Sequence, residues 1–371
     1  PLNLILPIGI SFYTFENLSY TVDVYRGEFK PANKFSDYLL FLAFFPKLMM
    51  GPIVRAHDFV PQINEPYVIS ERDFAKGFFL IISGLIKKLV ISDYITLNMV
   101  DYMFDNPALH TGVENLMAVY GYAMVIYCDF SGYSEIAIGI ALWLGFKIPP
   151  NFMSPYQSLN ITEFWRRWHM SLSGWFRDYL YIPLGGSRGG NYMRIRNTFI
   201  IFLVSGFWHG ANWTFIVWGG LNALFIMPAI IFKTNRNNMD IVAKGRLLPS
   251  FKDVLNIIIT FLLVAFAWIF FRAENLEHAF NYISGIFSKS LFSVPGMNKA
   301  ALATLILIAF LLFIEWLGRE NNYGIEKLFL SDTHKESKLW TFFRWSFYAF
   351  IILLIGLFMQ LEETPFIYFQ F

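Results

Sequence analysis

The chain of 371 residues is 56% hydrophobic and 19% aromatic but only 15% charged, with a mean hydropathy of +0.46. Soluble domains carry about 25% charged residues, so this composition excludes an ordinary soluble enzyme and predicts a polytopic membrane protein. The net charge of +2 is scattered over several loops with no basic patch for nucleic acid, and the single cysteine, Cys128, excludes an internal disulfide or a cysteine-built metal site.

In chain order, residues 2–20 form a first apolar segment, interrupted by Pro7 and Gly9, which transmembrane helices tolerate. Pro1 opens directly on this segment with no charged region or cleavage site before it, so it does not read as a signal peptide. The chain is expected to lack its natural N-terminal helices. Residues 36–54 are apolar again but broken at Pro46 and Gly51-Pro52, which predicts a bent or re-entrant element. Residues 74–97 carry Lys87 and Lys88 near their centre and read as a helix at an interface, its lysine stems snorkelling. Residues 89–146 contain no Lys or Arg, while Asp101, Asp105 and Glu114 fall in a connecting loop that the positive-inside rule keeps out of the cytoplasm. Residues 116–146 are expected to span the membrane as helices meeting near residues 130–133.

The charge balance then reverses. Arg166, Arg167, Arg177, Arg188, Arg194 and Arg196 face a single acid, Asp178, and the loop 233–253 adds Lys233, Arg236, Lys244, Arg246 and Lys252. Both loops are predicted to be cytoplasmic. Between them, residues 197–232 hold no Asp, Glu, Lys or Arg, and one imidazole, His209. Two topologies stay open: a hairpin turning at Gly210-Ala211-Asn212 with His209 at its deep end, or one long tilted helix. Further spans are expected at 254–271, 300–317 and 340–361, with an interfacial helix at 275–289. No repeat is evident, and residues 1–371 read as one integral-membrane domain.

An imidazole at membrane depth is expensive, so His209 reads as a working residue; the alternative is a neutral ring bonded to a neighbouring backbone carbonyl. In the stretch 163–190, at about 100° per residue, Trp165, Trp168, Leu172, Trp175 and Tyr179 share one helical face. Thr162, Arg166, His169, Ser173 and Arg177 share the adjacent one. That pattern predicts an aromatic helix lying along the cytoplasmic surface with a polar seam. Arg166 and Arg177 face either headgroups or an anionic cytoplasmic ligand, and His169 is either an idle interfacial ring or part of that site. Residues 185–190, G-G-S-R-G-G, read as a plain turn rather than a phosphate cradle, because the G-K-[ST] of a P-loop is missing. Asp129 either orients a catalytic imidazole or caps a broken helix. Cys128 reads as a buried structural thiol, with a covalent acyl carrier as the minor alternative.

No H-x-x-E-H pattern is present, and G-x-S-x-G occurs only as G-G-S-R-G at 185–189, where no strand leads in, so neither a metal site nor a serine nucleophile is expected. An imidazole in the membrane and another beside a basic cytoplasmic helix fit acyl transfer by general base. The ring removes a hydroxyl proton as the oxygen attacks a thioester carbonyl. A transporter with His209 as a proton relay is the rival, disfavoured because paired halves with interrupted helices are not seen.

Four stretches, residues 6–15 (L-P-I-G-I-S-F-Y-T-F), 129–139 (D-F-S-G-Y-S-E-I-A-I-G), 163–186 (E-F-W-R-R-W-H-M-S-L-S-G-W-F-R-D-Y-L-Y-I-P-L-G-G) and 205–213 (S-G-F-W-H-G-A-N-W), resemble the membrane-bound O-acyltransferase family. The likeness is to its bacterial polysaccharide O-acetyltransferase branch, and the closing P-F-I-Y-F-Q-F (365–371) is similar too. The resemblance implies an all-α ring of about 8–10 transmembrane and re-entrant helices around a thinned centre, with amphipathic interfacial helices. It implies catalytic roles for His209 and His169, donor contacts from Arg166, Arg177 and Trp165, and supporting roles for Asp129, Asn212 and Ser205. No metal or bound cofactor is implied. The implied donor is acetyl-CoA, the acceptor an exported polysaccharide such as alginate or peptidoglycan, the partner an SGNH-type transferase outside the membrane, and the location the bacterial inner membrane. A carrier that only feeds acetyl to that partner is the alternative. Glu135 stands where Asp is expected in many relatives.

Overall fold

The computed structural model describes residues 9–234, 240–296, 299–320 and 338–359, with Thr364 and Phe366. Among them the secondary structure is helical throughout. Residues 1–8 of the first expected segment, and most of the closing 365–371, lie outside the described residues.

Helix α1 (Ile10–Tyr25) begins after Gly9, which takes a φ of 74°. Helix α2 (Phe35–Ala43) leads into a bent stretch in which Met50, Ile53 and Val54 are buried. The bend carries Lys47 onto Glu16 of α1 inside the protein, and Glu16 also accepts the Val54 N–H at 3.0 Å. Helix α3 (Ala56–Ile63) follows, and then α4 (Glu71–Leu85), capped by Ser70, whose hydroxyl accepts the Asp73 N–H at 3.0 Å. Helix α4 runs on through two wide π-helical stretches, Ile86–Ser92 and Thr96–Val100, to Asp105. Asp101 and Asp105 are therefore helical rather than in a loop, and both reach Arg272, at 3.2 and 3.4 Å.

Thr111 and Glu114 form a capping box that starts α5 (Gly112–Trp143), a helix of 32 residues. At 1.5 Å per residue it is about 48 Å long, longer than a hydrocarbon core of about 30 Å. It is unbroken, so the expected junction near 130–133 does not exist. Gly132 is there for contact instead of bending. A Cβ at Gly132 would sit 2.8 Å from the Gly84 carbonyl oxygen, and Gly139 would meet that of Gly77 at 2.6 Å. Small residues of this kind let two helix backbones lie almost in contact.

This close pairing corrects the reading of Lys87 and Lys88. They are buried, not snorkelling. The Lys87 ammonium donates to Glu135 Oε1 at 2.6 Å, and the Ser83 hydroxyl donates to Glu135 Oε2 at 2.6 Å. Lys88 lies 2.8 Å from both Asp129 Oδ1 and Asp93 Oδ1. Glu135 and Asp129 sit on α5, far away in sequence, where hydropathy along α4 cannot reveal them.

The chain continues through α6 (Ile161–Arg167), α7 (Met170–Phe176), α8 (Gly190–His209), α9 (Trp213–Ile231), α10 (Phe251–Arg272), α11 (Leu276–Ile286), α12 (Lys299–Gly318) and α13 (Lys338–Phe358). Helices α5, α9, α10 and the Thr341–Phe358 part of α13 are long and apolar enough to cross a membrane. The protein is an all-α, multi-pass membrane protein. Helices α8 and α9 form an antiparallel hairpin: a Cβ at Gly206 would sit 2.3 Å from the Phe215 oxygen, and one at Gly219 2.3 Å from that of Phe202. Of the two topologies left open, residues 197–232 take the one that enters and returns. The basic loops before α8 and after α9 therefore lie at the same end.

Candidate functional site: an imidazole-lined cavity with a basic mouth

The stretch 163–190 is not one continuous surface helix. Asn160 caps α6 by accepting the Glu163 N–H at 2.9 Å, but α6 stops where Trp168 turns extended (φ −102°) and His169 turns left-handed (φ 43°, ψ 55°). A non-glycine residue there stores about 1–3 kcal/mol and persists only where its surroundings hold it. The holding segment is 151–153. Met153 N–H donates to the Arg167 carbonyl at 3.0 Å and Met170 N–H to the Asn151 carbonyl at 2.9 Å, one on each side of the break. The break turns Trp168 and His169 inward, where both are buried. Helical spacing could not show this, because the two faces assigned to one helix belong to two short ones.

His169 sits edge-on to Phe130, with ring centroids 4.6 Å apart, and its Nδ1 lies 3.3 Å from Asn151 Oδ1. His209 ends α8. The helical rise puts it about 20 Å from Arg196 along the axis, well inside a hydrocarbon core of about 30 Å. Trp208, Trp218 and Phe271 surround its ring at centroid distances of 4.7, 5.1 and 5.1 Å. Asn212 then caps α9 through the Thr214 N–H at 3.1 Å and donates to the Glu274 carbonyl at 2.6 Å.

Both imidazoles line one cavity of about 540 Å³. Trp165, Arg166, Arg177 and Ser205 line the same cavity, so six of the eight residues singled out in the sequence are brought together. Arg166, Arg177, Ser187 and Lys233 are exposed and form its mouth, while His169 is deep. The Gly-rich run at 185–190 is a turn, with Gly185, Gly186 and Gly190 at positive φ, and it presents Ser187 to the opening. No carboxylate is among the described residues that line the cavity. The charged side chains lining the mouth are cations, of which Arg177 is paired with Asp178 at 2.6 Å, and the interior is aromatic. An anionic, partly apolar molecule fits such a space, with its charged end at the mouth and its reactive end between the rings.

Two expected residues lie elsewhere. Asp129 belongs to the α4–α5 ion pairs, and it is Asn151 that faces the ring nitrogen of His169. Asn212 acts as a helix cap. Sequence reasoning missed Asn151, Arg194 and Lys233 as neighbours of the site. Arg194 and Lys233 carried a signal, since they border the apolar hairpin on its basic side. Asn151, in P-P-N-F, carried none. Among the described residues no group of three His, Cys, Asp or Glu side chains is placed to hold a metal.

The sequence profile of the membrane-bound O-acyltransferase family matches residues 32–271, which include the break, the hairpin and the cavity. The chain belongs to that family. It is 43% identical over 305 residues to the "Probable alginate O-acetylase" of Pseudomonas aeruginosa, covering 82% of this chain and 56% of that protein. It is 38% identical over 329 residues to the peptidoglycan O-acetyltransferase of Helicobacter pylori, covering 81% and 60%. A teichoic acid D-alanyltransferase of Bacillus subtilis is 33% identical over 293 residues, covering 75% and 71%. The chain thus spans less than two thirds of the length of the alginate and peptidoglycan relatives. All three are named for acylation of a polymer: alginate, peptidoglycan or teichoic acid.

Proposed function

We propose that this membrane-bound O-acyltransferase is an O-acetyltransferase that moves acetyl groups from a cytoplasmic thioester donor, acetyl-CoA, towards hydroxyls of an exported polysaccharide. The observation that carries the reading is one cavity holding both imidazoles behind a mouth of Arg166, Arg177 and Lys233. The positive-inside rule assigns that mouth to the cytoplasm of a bacterial inner membrane. The arginines suit the phosphates of a nucleotide thioester, since guanidinium matches phosphate geometry, and Trp165 suits its apolar arm. His209 acts as general base or acyl relay at the end of the cavity nearest the hairpin turn, with His169 beside the donor. The hydroxyl oxygen attacks the thioester carbonyl carbon, the C–S bond breaks, and the departing thiolate takes the proton the imidazole removed. Aromatic walls around the rings keep water from competing for the acyl group. Where the attacking hydroxyl belongs to an SGNH-type transferase outside the membrane, that partner passes the acetyl group on to the polymer.

The test uses the full-length protein in liposomes with labelled acetyl-CoA on the mouth side and a glycan acceptor on the other. Release of free thiol, with label on the glycan or on a co-reconstituted partner, is the expected result. Thiol release absent while label still crosses would make the protein a carrier and overturn the transferase reading.

A further inference from the structure

Asn151 is 1% exposed, and its side-chain amide meets three elements at once. Nδ2 donates to the Ser134 hydroxyl of α5 at 3.2 Å. Oδ1 accepts from the Ser171 hydroxyl of α7 at 2.6 Å and lies 3.4 Å from the Ser171 backbone N–H, as well as 3.3 Å from His169 Nδ1. The orientation of an amide has to be read from its neighbours. Here the neighbours decide it, because a backbone N–H only donates and the atom facing it must be the carbonyl oxygen. The Ser171 hydroxyl agrees: it accepts the Ile53 N–H at 2.9 Å and gives its own proton to Asn151. A carbonyl oxygen facing a ring nitrogen requires that nitrogen to carry hydrogen. His169 is therefore the Nδ1–H tautomer, and the lone pair lies on Nε2, which is buried at the cavity without a hydrogen-bond partner among the described residues.

We propose that Asn151 is the positioning residue of the site: it fixes the tautomer of His169 and aims the Nε2 lone pair into the cavity. The proposal rests on the reading of His169 as a working imidazole. A carboxylate commonly performs this orienting task, yet among the described residues no carboxylate lines the cavity. Among the described residues, the ionisable groups sharing the cavity with His169 are His209, Arg166, Arg177, Tyr181, Arg194 and Lys233. In a cavity so rich in cations, a neutral amide orients the ring without forming an ion pair that would hold it protonated. The same residue also secures the left-handed turn, through its backbone carbonyl and Met170 N–H. Removing the side chain leaves that backbone bond in place, so ring orientation can be separated from the break itself.

The experiment compares full-length wild type, Asn151→Ala, Asn151→Asp and His169→Gln, each labelled with nitrogen-15 in the histidine rings and assayed for acetyl transfer across pH. The wild type is expected to show a protonated Nδ1 and an unprotonated Nε2 for His169, assigned by the signals lost in His169→Gln. Asn151→Ala is expected to mix the tautomers and to lower kcat roughly 10- to 100-fold, with donor KM nearly unchanged. Asn151→Asp keeps an acceptor but adds charge, which favours imidazolium, so the acid limb of its rate profile should move to higher pH. That variant decides the matter if Asn151→Ala is not recovered from membranes: an unshifted limb with an unchanged ring spectrum overturns the proposal. So does an Nε2–H tautomer in the wild type, or an Asn151→Ala enzyme with wild-type kcat and spectrum. Should His169→Gln transfer acetyl at full rate, the functional reading of His169 falls, while the ring spectra still judge the Asn151 contact.

Discussion

Two buried polar regions of this molecule are built on opposite plans. Between α4 and α5, each lysine meets carboxylates at salt-bridge distance: Lys87 with Glu135 and Lys88 with Asp129 and Asp93. In the cavity, cationic and imidazole groups gather, and among the described residues no carboxylate lines it and a ring nitrogen of His169 has no hydrogen-bond partner. A buried charge that is fully paired has little left to offer a substrate. The Nε2 lone pair of His169, held at the cavity, has its capacity in reserve. The first region holds helices together, and the second is where chemistry is to be expected.

The difference can be broken from either side. The largest effect should come from unpairing the seam. Lys88→Ala leaves Asp129 and Asp93 buried without their cation, a loss of about 3–5 kcal/mol, read as poor recovery from membranes and a lowered thermal midpoint. Lys88→Met with Asp129→Leu and Asp93→Leu removes the charges together and should regain much of that stability, because apolar groups of similar size often replace buried pairs without loss. A triple variant no more stable than Lys88→Ala would assign the seam a role beyond pairing. At the mouth, Arg166→Ala and Arg177→Ala should each raise the donor KM roughly three- to fivefold with kcat kept, as expected for exposed ionic contacts. A drop in kcat alone would place them at the reacting atoms. The smallest effect belongs to Asn212→Ala, which removes a helix cap and should cost about 1 kcal/mol of stability with little change in kcat.

Much of this was legible in the sequence. Low charge content and long apolar runs gave the class, and the basic flanks of residues 197–232 gave the shared end of the hairpin. His169, His209, Arg166, Arg177, Trp165 and Ser205 were all singled out before their meeting in one cavity could be known. The misreadings have a common cause. Lys87 and Lys88 were placed at an interface because Glu135 and Asp129 lie on another helix, and Asp129 was read as an orienter of an imidazole or a helix cap because Lys88 was not known to hold it. Trp168 and His169 were laid on one continuous helix because periodicity assumes helical dihedrals at every residue. The contacts from 151–153 that interrupt the helix are tertiary, and Asn151 carries no periodic or motif signal of its own.

The most direct test of the account measures glycan O-acetate in a deletion strain complemented with the full-length wild type, His209→Ala, His169→Ala or the charge-free seam triple variant, each normalised to its abundance in the membrane. The account predicts that both histidine variants insert normally yet lose acetate by roughly a hundredfold or more, while the seam variant acetylates in proportion to the protein that remains. Histidine variants acetylating at the wild-type level per molecule, or a well-inserted seam variant that is inactive, would contradict it.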